Sequence, residues 1–261
     1  MGHTTGFRRA LGVQFRVIGA LLMREIITRY GRDNIGFLWL FVEPMMFTMG
    51  VTTLFSFRHG SSPVPIIPFA LTGYSTILLW RNGSNRCAKA IQPNMALLYH
   101  RQVTILDLFA ARLLLEVAGA TVSLVTLLSI VIFLGLTESP SDPLTMAVGW
   151  LLMAWFAAAL GLIVGAMTER SMAFERIWHT VTYLMFPLSG TFFMVDWLPP
   201  SIQGWALWVP MINGTEMIRD GYFGHLVPTH YSASYLATVD LVMLWIGLRL
   251  VESGRHLVEL E

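Results

Sequence analysis

Lysine is almost missing from this chain of 261 residues: Lys89 is the only one, against 16 arginines, and it sits in the run RCAKAI. A nucleotide-binding loop of the form G-x-x-x-x-G-K-[ST] needs its lysine for the phosphates. No such glycines surround Lys89, so the chain cannot be its own ATPase of that class. Cysteine is equally scarce. Cys87 stands alone, which excludes a disulfide within the chain and a cysteine-based zinc site. Clusters that would carry catalysis are missing too. His179 and Ser189 lie on one stretch ten residues apart rather than on facing spans, Asp107 stands near Arg112 alone, and His225 and His230 have no partners at metal-ligand spacing. An enzyme is not expected, nor a resident metal. No cleavable signal is apparent, because Arg8, Arg9, Arg16, Arg24, Arg29 and Arg32 interrupt the first 34 residues. The first true span is expected to act as its own insertion signal.

Charge of any kind is thin, 13% of residues, against about a quarter in soluble domains. What fills its place is apolar: 55% of the chain. This is the composition of an all-α polytopic membrane protein. Six transmembrane helices are expected, over residues 35–57, 66–85, 108–136, 144–167, 174–195 and 233–251. A cytosolic N-terminal region is expected over 1–34, the six-span membrane domain over 35–252, and a cytosolic tail over 253–261.

The opening of the chain sets the pattern. Around residues 22–32, at about 100° per residue, Arg24, Glu25, Thr28, Arg29 and Arg32 fall on one arc and Leu22, Met23, Ile26, Ile27 and Tyr30 on the other. Such a helix suits a membrane surface. Gly31, Asp33 and Asn34 then let the chain turn, and residues 35–57 are long enough to cross a hydrocarbon core of about 30 Å. That first span carries Glu43 followed by Pro44.

The second span is the most polar, with Thr72, Gly73, Tyr74, Ser75 and Thr76 at its middle. Two readings stand: it lines a water path, or its hydroxyls bond back to their own helix. A basic connector follows, with Arg81, Arg86, Lys89 and Arg101, and inside it residues 94–101 form a short helix with Asn94 as its cap. Thr104 and Asp107 fit a capping box for the third span. Arg112 and Glu116, four apart, are placed to pair along that helix. Ala157, Gly161 and Gly165 make a small-residue ridge on the fourth span. Pro187 predicts a kink in the fifth. Before the last span, which carries Asp240, residues 202–223 hold two short periplasmic or re-entrant helices: 202–209 with Trp205 and Trp208, and 215–223 with Glu216, Arg219 and Tyr222. With six spans and the N-terminus inside, 15 of the 17 basic residues fall on the cytosolic side, leaving Arg58 and Arg219 outside. The positive-inside rule then makes both termini cytosolic.

Four blocks carry a resemblance: MREIITRYGRDNIGFLW, VEPMM, RQVTILDLFAAR and NGTEMIRDGYFG. Together they resemble the type-2 ABC export permeases, and among these the capsular polysaccharide export permeases, over about residues 21–251. The resemblance implies a homodimer in the bacterial inner membrane, bound to two separate cytosolic ATPase subunits and to periplasmic and outer-membrane export proteins. It would move a lipid-linked polysaccharide from cytoplasm to periplasm. ATP and Mg would sit on the partner ATPase, with no cofactor in this chain and no nucleic acid. An O-antigen, teichoic acid or small-molecule exporter of the same fold is the alternative. The implied ATPase-coupling residues are Glu25, Arg29 and Arg32 on the first helix, and Asn94, Met95, Leu98, Tyr99 and Arg101 on the connector. For the substrate channel, Arg24, Arg81 and Arg86 suit phosphate oxygens, while Trp39, Phe69, Tyr74 and Trp80 would offer flat faces to sugar rings. Trp205, Trp208, Glu216, Arg219 and Tyr222 would form a periplasmic lid. Glu43 and Asp240 are the intramembrane charges.

Overall fold

The computed structural model describes residues 3–30, 38–56, 64–88, 90–98 and 103–258, which form ten α-helices and no strand. They are α1 (His3–Tyr30), α2 (Trp39–Ser56), α3 (Ile66–Cys87), α4 (Met95–Leu98), α5 (Ile105–Phe133), α6 (Pro143–Arg170), α7 (Met172–Leu188), α8 (Pro200–Ala206), α9 (Pro210–Phe223) and α10 (Ala233–Val258). Short 3-10 turns precede α4 and α8 and follow α9. The turn expected at Gly31, Asp33 and Asn34, and Arg32, Arg58, Lys89, Tyr99 and Arg101, lie outside the described residues. Of these helices, α5, α6 and the Ala233–Gly254 part of α10 are long and apolar enough by composition to cross a bilayer.

α6 is the spine, packed against α3, α9 and α10. Its small residues allow that closeness. A Cβ at Gly161 would come within 2.9 Å of Leu113 and 3.1 Å of Cys87 Sγ, and one at Gly165 within 2.6 Å of the Phe109 ring. The ridge read from the sequence is therefore the surface that meets α3 and α5. Helix association in lipid depends on such approach, since water supplies no drive there.

α3 explains its own polarity. Every residue from Leu71 to Trp80 is buried, so the helix faces protein on all sides and needs no greasy exterior. Thr72 Oγ1 donates to the Pro68 carbonyl and Thr76 Oγ1 to the Thr72 carbonyl, both at 2.7 Å. For these two hydroxyls the back-bonded reading holds.

Helix ends follow local chemistry. Thr104 and Asp107 make the expected capping box, with Asp107 Oδ2 accepting from Thr104 N at 2.8 Å. Asp142 caps α6 by accepting from Leu144 N and Thr145 N, and the Thr145 hydroxyl and N–H hold its carboxyl below the ordinary value. Ser171 ends α6 and caps α7 at once, accepting from Phe174 N.

Several expectations are corrected. The fifth span does not kink at Pro187 and run on to residue 195: α7 stops at Leu188, and Gly190 at φ +80° turns the chain back. Pro187 has no N–H to give the Tyr183 carbonyl, and at one residue from the end of α7 it marks where the helix stops. The two short helices are Pro200–Ala206 and Pro210–Phe223, each with its proline in the first turn. Arg112 and Glu116 do not pair with each other along α5, because each finds an opposite charge on another helix.

α9 lies against the α5–α6 loop through its backbone: Asp142 N donates to the Gly221 carbonyl at 2.8 Å and Ser141 N to the Tyr222 carbonyl at 3.1 Å. A Cβ at Gly221 would stand 2.3 Å from Met146 N and 2.8 Å from the Asp142 carbonyl. Backbone atoms cannot swing aside as a side chain can. Gly221→Ala is therefore expected to cost about 3 kcal/mol and lower the thermal midpoint of the detergent-solubilised protein; an unchanged midpoint would show that this contact is loose.

Candidate functional site

At the end of the bundle that holds α1 and the connector, α1 lies on the start of α5. Leu21 packs with Leu108 and Ala111, and Val17, Leu22 and Leu97 close around them. Glu25 and Arg29 of the polar arc of α1 face the protein. Glu116, buried on α5, accepts from Arg29 and lies 3.2 Å from Arg86 Nε. Glu25 lies 3.5 Å from Arg112 Nε, and Arg112 Nη1 donates to the Arg86 carbonyl at 2.6 Å. Gln14 donates to Asp107, the same residue that caps α5. Met23 and Ile27, on the other arc, are exposed. The helix thus seats Leu21, Leu22, Glu25 and Arg29 on the bundle and leaves Met23 and Ile27 outward, as an interfacial helix bound to a membrane domain would. Glu25 and Arg29, expected as contacts for another protein, are paired here within the chain. A half-buried charge beside its counterion is held where it stands.

Arg24 reaches the connector: its Nη1 donates to Asn94 Oδ1 at 2.6 Å. Asn94 in turn donates to the Ala90 carbonyl at 2.8 Å. Asn94 is therefore a buried strut between α1 and the connector rather than the cap it was expected to be. Arg24 is engaged here rather than in a channel. Met95 and Leu98 pack partly buried against the core under α4.

A cavity of about 140 Å³ opens beside this network, lined by Arg29, Trp39, Leu40, Glu43, Asn82, Arg86 and Glu116 among others. It joins residues that sequence reasoning had put in three separate groups: Trp39 and Arg86 from the channel set, Arg29 from the coupling set, and the intramembrane Glu43. Trp39 remains 60% exposed. Two guanidiniums, Arg29 and Arg86, stand against two carboxylates, Glu116 between them and Glu43 beside Tyr74, so the wall is formally balanced, and it is the fork-shaped donors of the arginines that suit phosphate or carboxylate oxygens.

The remaining channel candidates lie deeper. Trp80 and Phe69, expected to offer flat faces to sugar rings in the channel, are buried among the helices of this single chain. Tyr74 donates to Glu43 Oε1 at 3.0 Å and stacks on Phe47 with centroids 3.9 Å apart; Phe186 and Phe192 complete that cluster. The Arg81 guanidinium lies over the Tyr183 ring at 5.2 Å. Sequence reasoning missed Phe47, Phe186 and Phe192, since an aromatic within an apolar span carries no signal of its own. Asp240 is buried on the face of α10 that presses on α6, and neither of its oxygens has a hydrogen-bond partner among the described residues.

At the opposite end, the expected lid divides in two. Trp205 and Trp208 stand exposed on and just after α8, at 74% and 71%. Glu216, Arg219 and Tyr222, expected in the same lid, have their side chains buried in the protein. Arg219 is fully buried; its Nη1 donates to the carbonyls of Gly190 at 2.6 Å and Phe193 at 2.8 Å, and its Nη2 to those of Thr191 at 2.8 Å and Phe69 at 3.4 Å. Its guanidinium also lies 3.9 Å over the Phe69 ring. Burial pushes its pKa down to about 9, so it stays cationic at neutral pH. Glu216 accepts from the N–H groups of Val195 and His230, while burial pushes its carboxyl above the ordinary range. The Tyr222 hydroxyl donates to the Glu138 carbonyl at 2.8 Å. Among the described residues no group of His, Cys, Asp or Glu could hold a metal ion.

The chain matches the ABC-2 type transporter family over residues 16–223. It is 48% identical over 259 residues to the capsule polysaccharide export inner-membrane protein CtrC of Neisseria meningitidis serogroup B, covering 98% of both chains. With the capsule polysaccharide export inner-membrane protein BexB of Haemophilus influenzae it shares 46% over 254 residues, 97% of this chain and 96% of that one. The polysialic acid transport protein KpsM of Escherichia coli is 27% identical over 245 residues, covering 93% and 95%. Similarity that runs from end to end carries the whole bundle, its short helices included. The chain belongs to the ABC-2 type transporter membrane family.

Proposed function

We propose that this chain is the permease subunit of an exporter that moves a lipid-linked capsular polysaccharide across the bacterial inner membrane, driven by a separate ATPase. The observation that carries this reading is the near full-length identity of 48% to a capsule polysaccharide export protein. The missing phosphate-binding loop supports the division of labour, with ATP and Mg held by the partner. The spans are α2, α3, α5, α6, α7 and α10. α3 is too polar to pass as a span by composition, yet it is wrapped by protein, so lipid never tests it. The excess of arginine at the connector end makes that end cytosolic, with both termini there and α8 and α9 in the periplasm.

Two copies form the conduit, each serving one ATPase subunit through its connector, where Met95 and Leu98 of α4 lie next to Tyr99 and Arg101 in sequence. The cavity between Arg29, Arg86 and Trp39 lies at the cytosolic mouth and suits the anionic end of a lipid-linked polymer. Trp205 and Trp208 rest in the outer interface, where indole rings settle, next to the export proteins of the periplasm and outer membrane.

Deleting the gene from an encapsulated host is expected to strip the capsule from the surface and leave polymer inside the cell, with both defects reversed by the wild-type chain. Surface staining and measurement of intracellular polymer check this. An intact capsule in the deletion strain would instead favour a small-molecule exporter of the same fold.

A further inference from the structure

Beyond the α1–α5 network, a second set of bonds meets the connector. The Ile91 N–H donates to Glu169 Oε1 at 2.9 Å, so the last turn of α6 grips the connector from one side. Three residues later, Arg24 grips Asn94 from the other. Next to Glu169, Arg170 Nη2 donates to the Leu250 carbonyl at 2.6 Å and also to Ser253 Oγ, tying the end of α6 to the end of α10. Between the connector and α10 lies a cavity of about 490 Å³, lined by Met95, Ile105, Phe109, Ala166, Leu250 and Val251 among others. The connector is thus bonded to α6 and α1 but separated from α10 by open space.

Building on the ATPase-driven export reading, we infer that Glu169 is the positioning residue through which displacement of the connector reaches α6. A segment packed solid on every side resists a push, because cores are not continuously deformable. The cavity removes that resistance on one side. With packing out of the way, the hydrogen bonds decide which helix follows. Glu169 makes α6 follow, Arg170 brings α10 with it, and Arg24 with Asn94 carries the same displacement to α1. α6 then reaches the far end of the bundle: a Cβ at Gly149 would meet Ile218 of α9 at 3.1 Å, and Met153 lies against Gly214. A push at the cytosolic connector arrives under the periplasmic helices through one rigid rod.

A chain of contacts becomes a coupling path only when breaking it changes coupling. The test uses the full permease–ATPase complex in proteoliposomes with lipid-linked polymer, and compares E169A, E169Q and I91P. E169A removes the acceptor, and E169Q keeps an amide oxygen in its place. I91P removes the donor while leaving Glu169 untouched, and the Ile91 backbone, at φ −76°, already suits proline. In E169A and I91P the ATPase is expected to stay bound and to hydrolyse ATP, while polymer moved per ATP falls roughly fivefold or more. E169Q should recover at least half. Wild-type polymer per ATP in either E169A or I91P overturns the inference, and so does an E169Q as uncoupled as E169A. A wild-type complex that binds no ATPase or moves no polymer instead overturns the export reading on which it is built.

Discussion

Arg219→Ala is expected to collapse the junction of α7, α9 and the loop between α7 and α8, with a fall in the thermal midpoint larger than that of any surface arginine variant. The guanidinium answers carbonyls of Gly190, Thr191, Phe193 and Phe69 at once. Two of these, Gly190 and Thr191, belong to the turn that ends α7, where helix carbonyls run out of partners. A buried carbonyl left unpaired costs about 1–3 kcal/mol, and several are orphaned together, with a guanidinium-sized void beside the Phe69 ring. The expected loss is about 5 kcal/mol, since the strained carbonyls will partly relax or admit water. Arg219→Lys should recover less than half, because an ammonium is a point donor and cannot span the fork. Melting of the purified protein in detergent, read by tryptophan fluorescence, checks both variants. A midpoint for Arg219→Ala within a degree or so of wild type would mean that the four bonds carry no stability.

Glu116→Ala is the second. It removes the carboxylate that Arg29 and Arg86 share where α1 meets α5 and α3. Removing one member of a fully buried ionic cluster costs about 3–5 kcal/mol; here Arg29 and Arg86 are 22% and 49% exposed, so water takes up much of the charge left behind and the loss is smaller. Here the loss is local. α1 is held to α5 by Glu116, by the weaker Glu25–Arg112 pair and by the Leu21 contact, so its C-terminal half should lift away. Hydrogen exchange over residues 17–30 is expected to speed up by at least tenfold, while α6 and α10 keep their protection. Arg29→Ala should do less, because Arg86 still answers Glu116. If Glu116→Ala leaves exchange in α1 unchanged, the apolar contact alone holds the helix. Export should fall with exchange in both variants, since Arg24 on the same helix steadies the connector.

Local rules read from the chain held where they were complete within a few residues. The Thr104 and Asp107 box formed because both partners lie one turn apart. The ridge of Ala157, Gly161 and Gly165 pointed at other helices because small residues in an apolar span have little other use. Pairings across a helix turn fared worse. Arg112 and Glu116 are spaced to bond, yet each found stronger partners elsewhere: Glu25 and the Arg86 carbonyl for Arg112, Arg29 and Arg86 for Glu116. An exposed pair along a helix contributes a few tenths of a kcal/mol. Satisfying a buried charge or carbonyl contributes several times that, so tertiary partners win.

The sequence by itself determined the membrane class, the amphipathic first helix, the connector, the short helices before the last span and the lack of a lysine phosphate-binding loop, because composition, periodicity and short motifs act locally. Only the tertiary structure decided which way the charges of α1 face, that α3 is sheathed by protein, that Arg219 is an internal staple, and that open space lies beneath the connector. Each of those depends on what another helix brings to the same place, and a desolvated charge takes whichever partner the packing delivers.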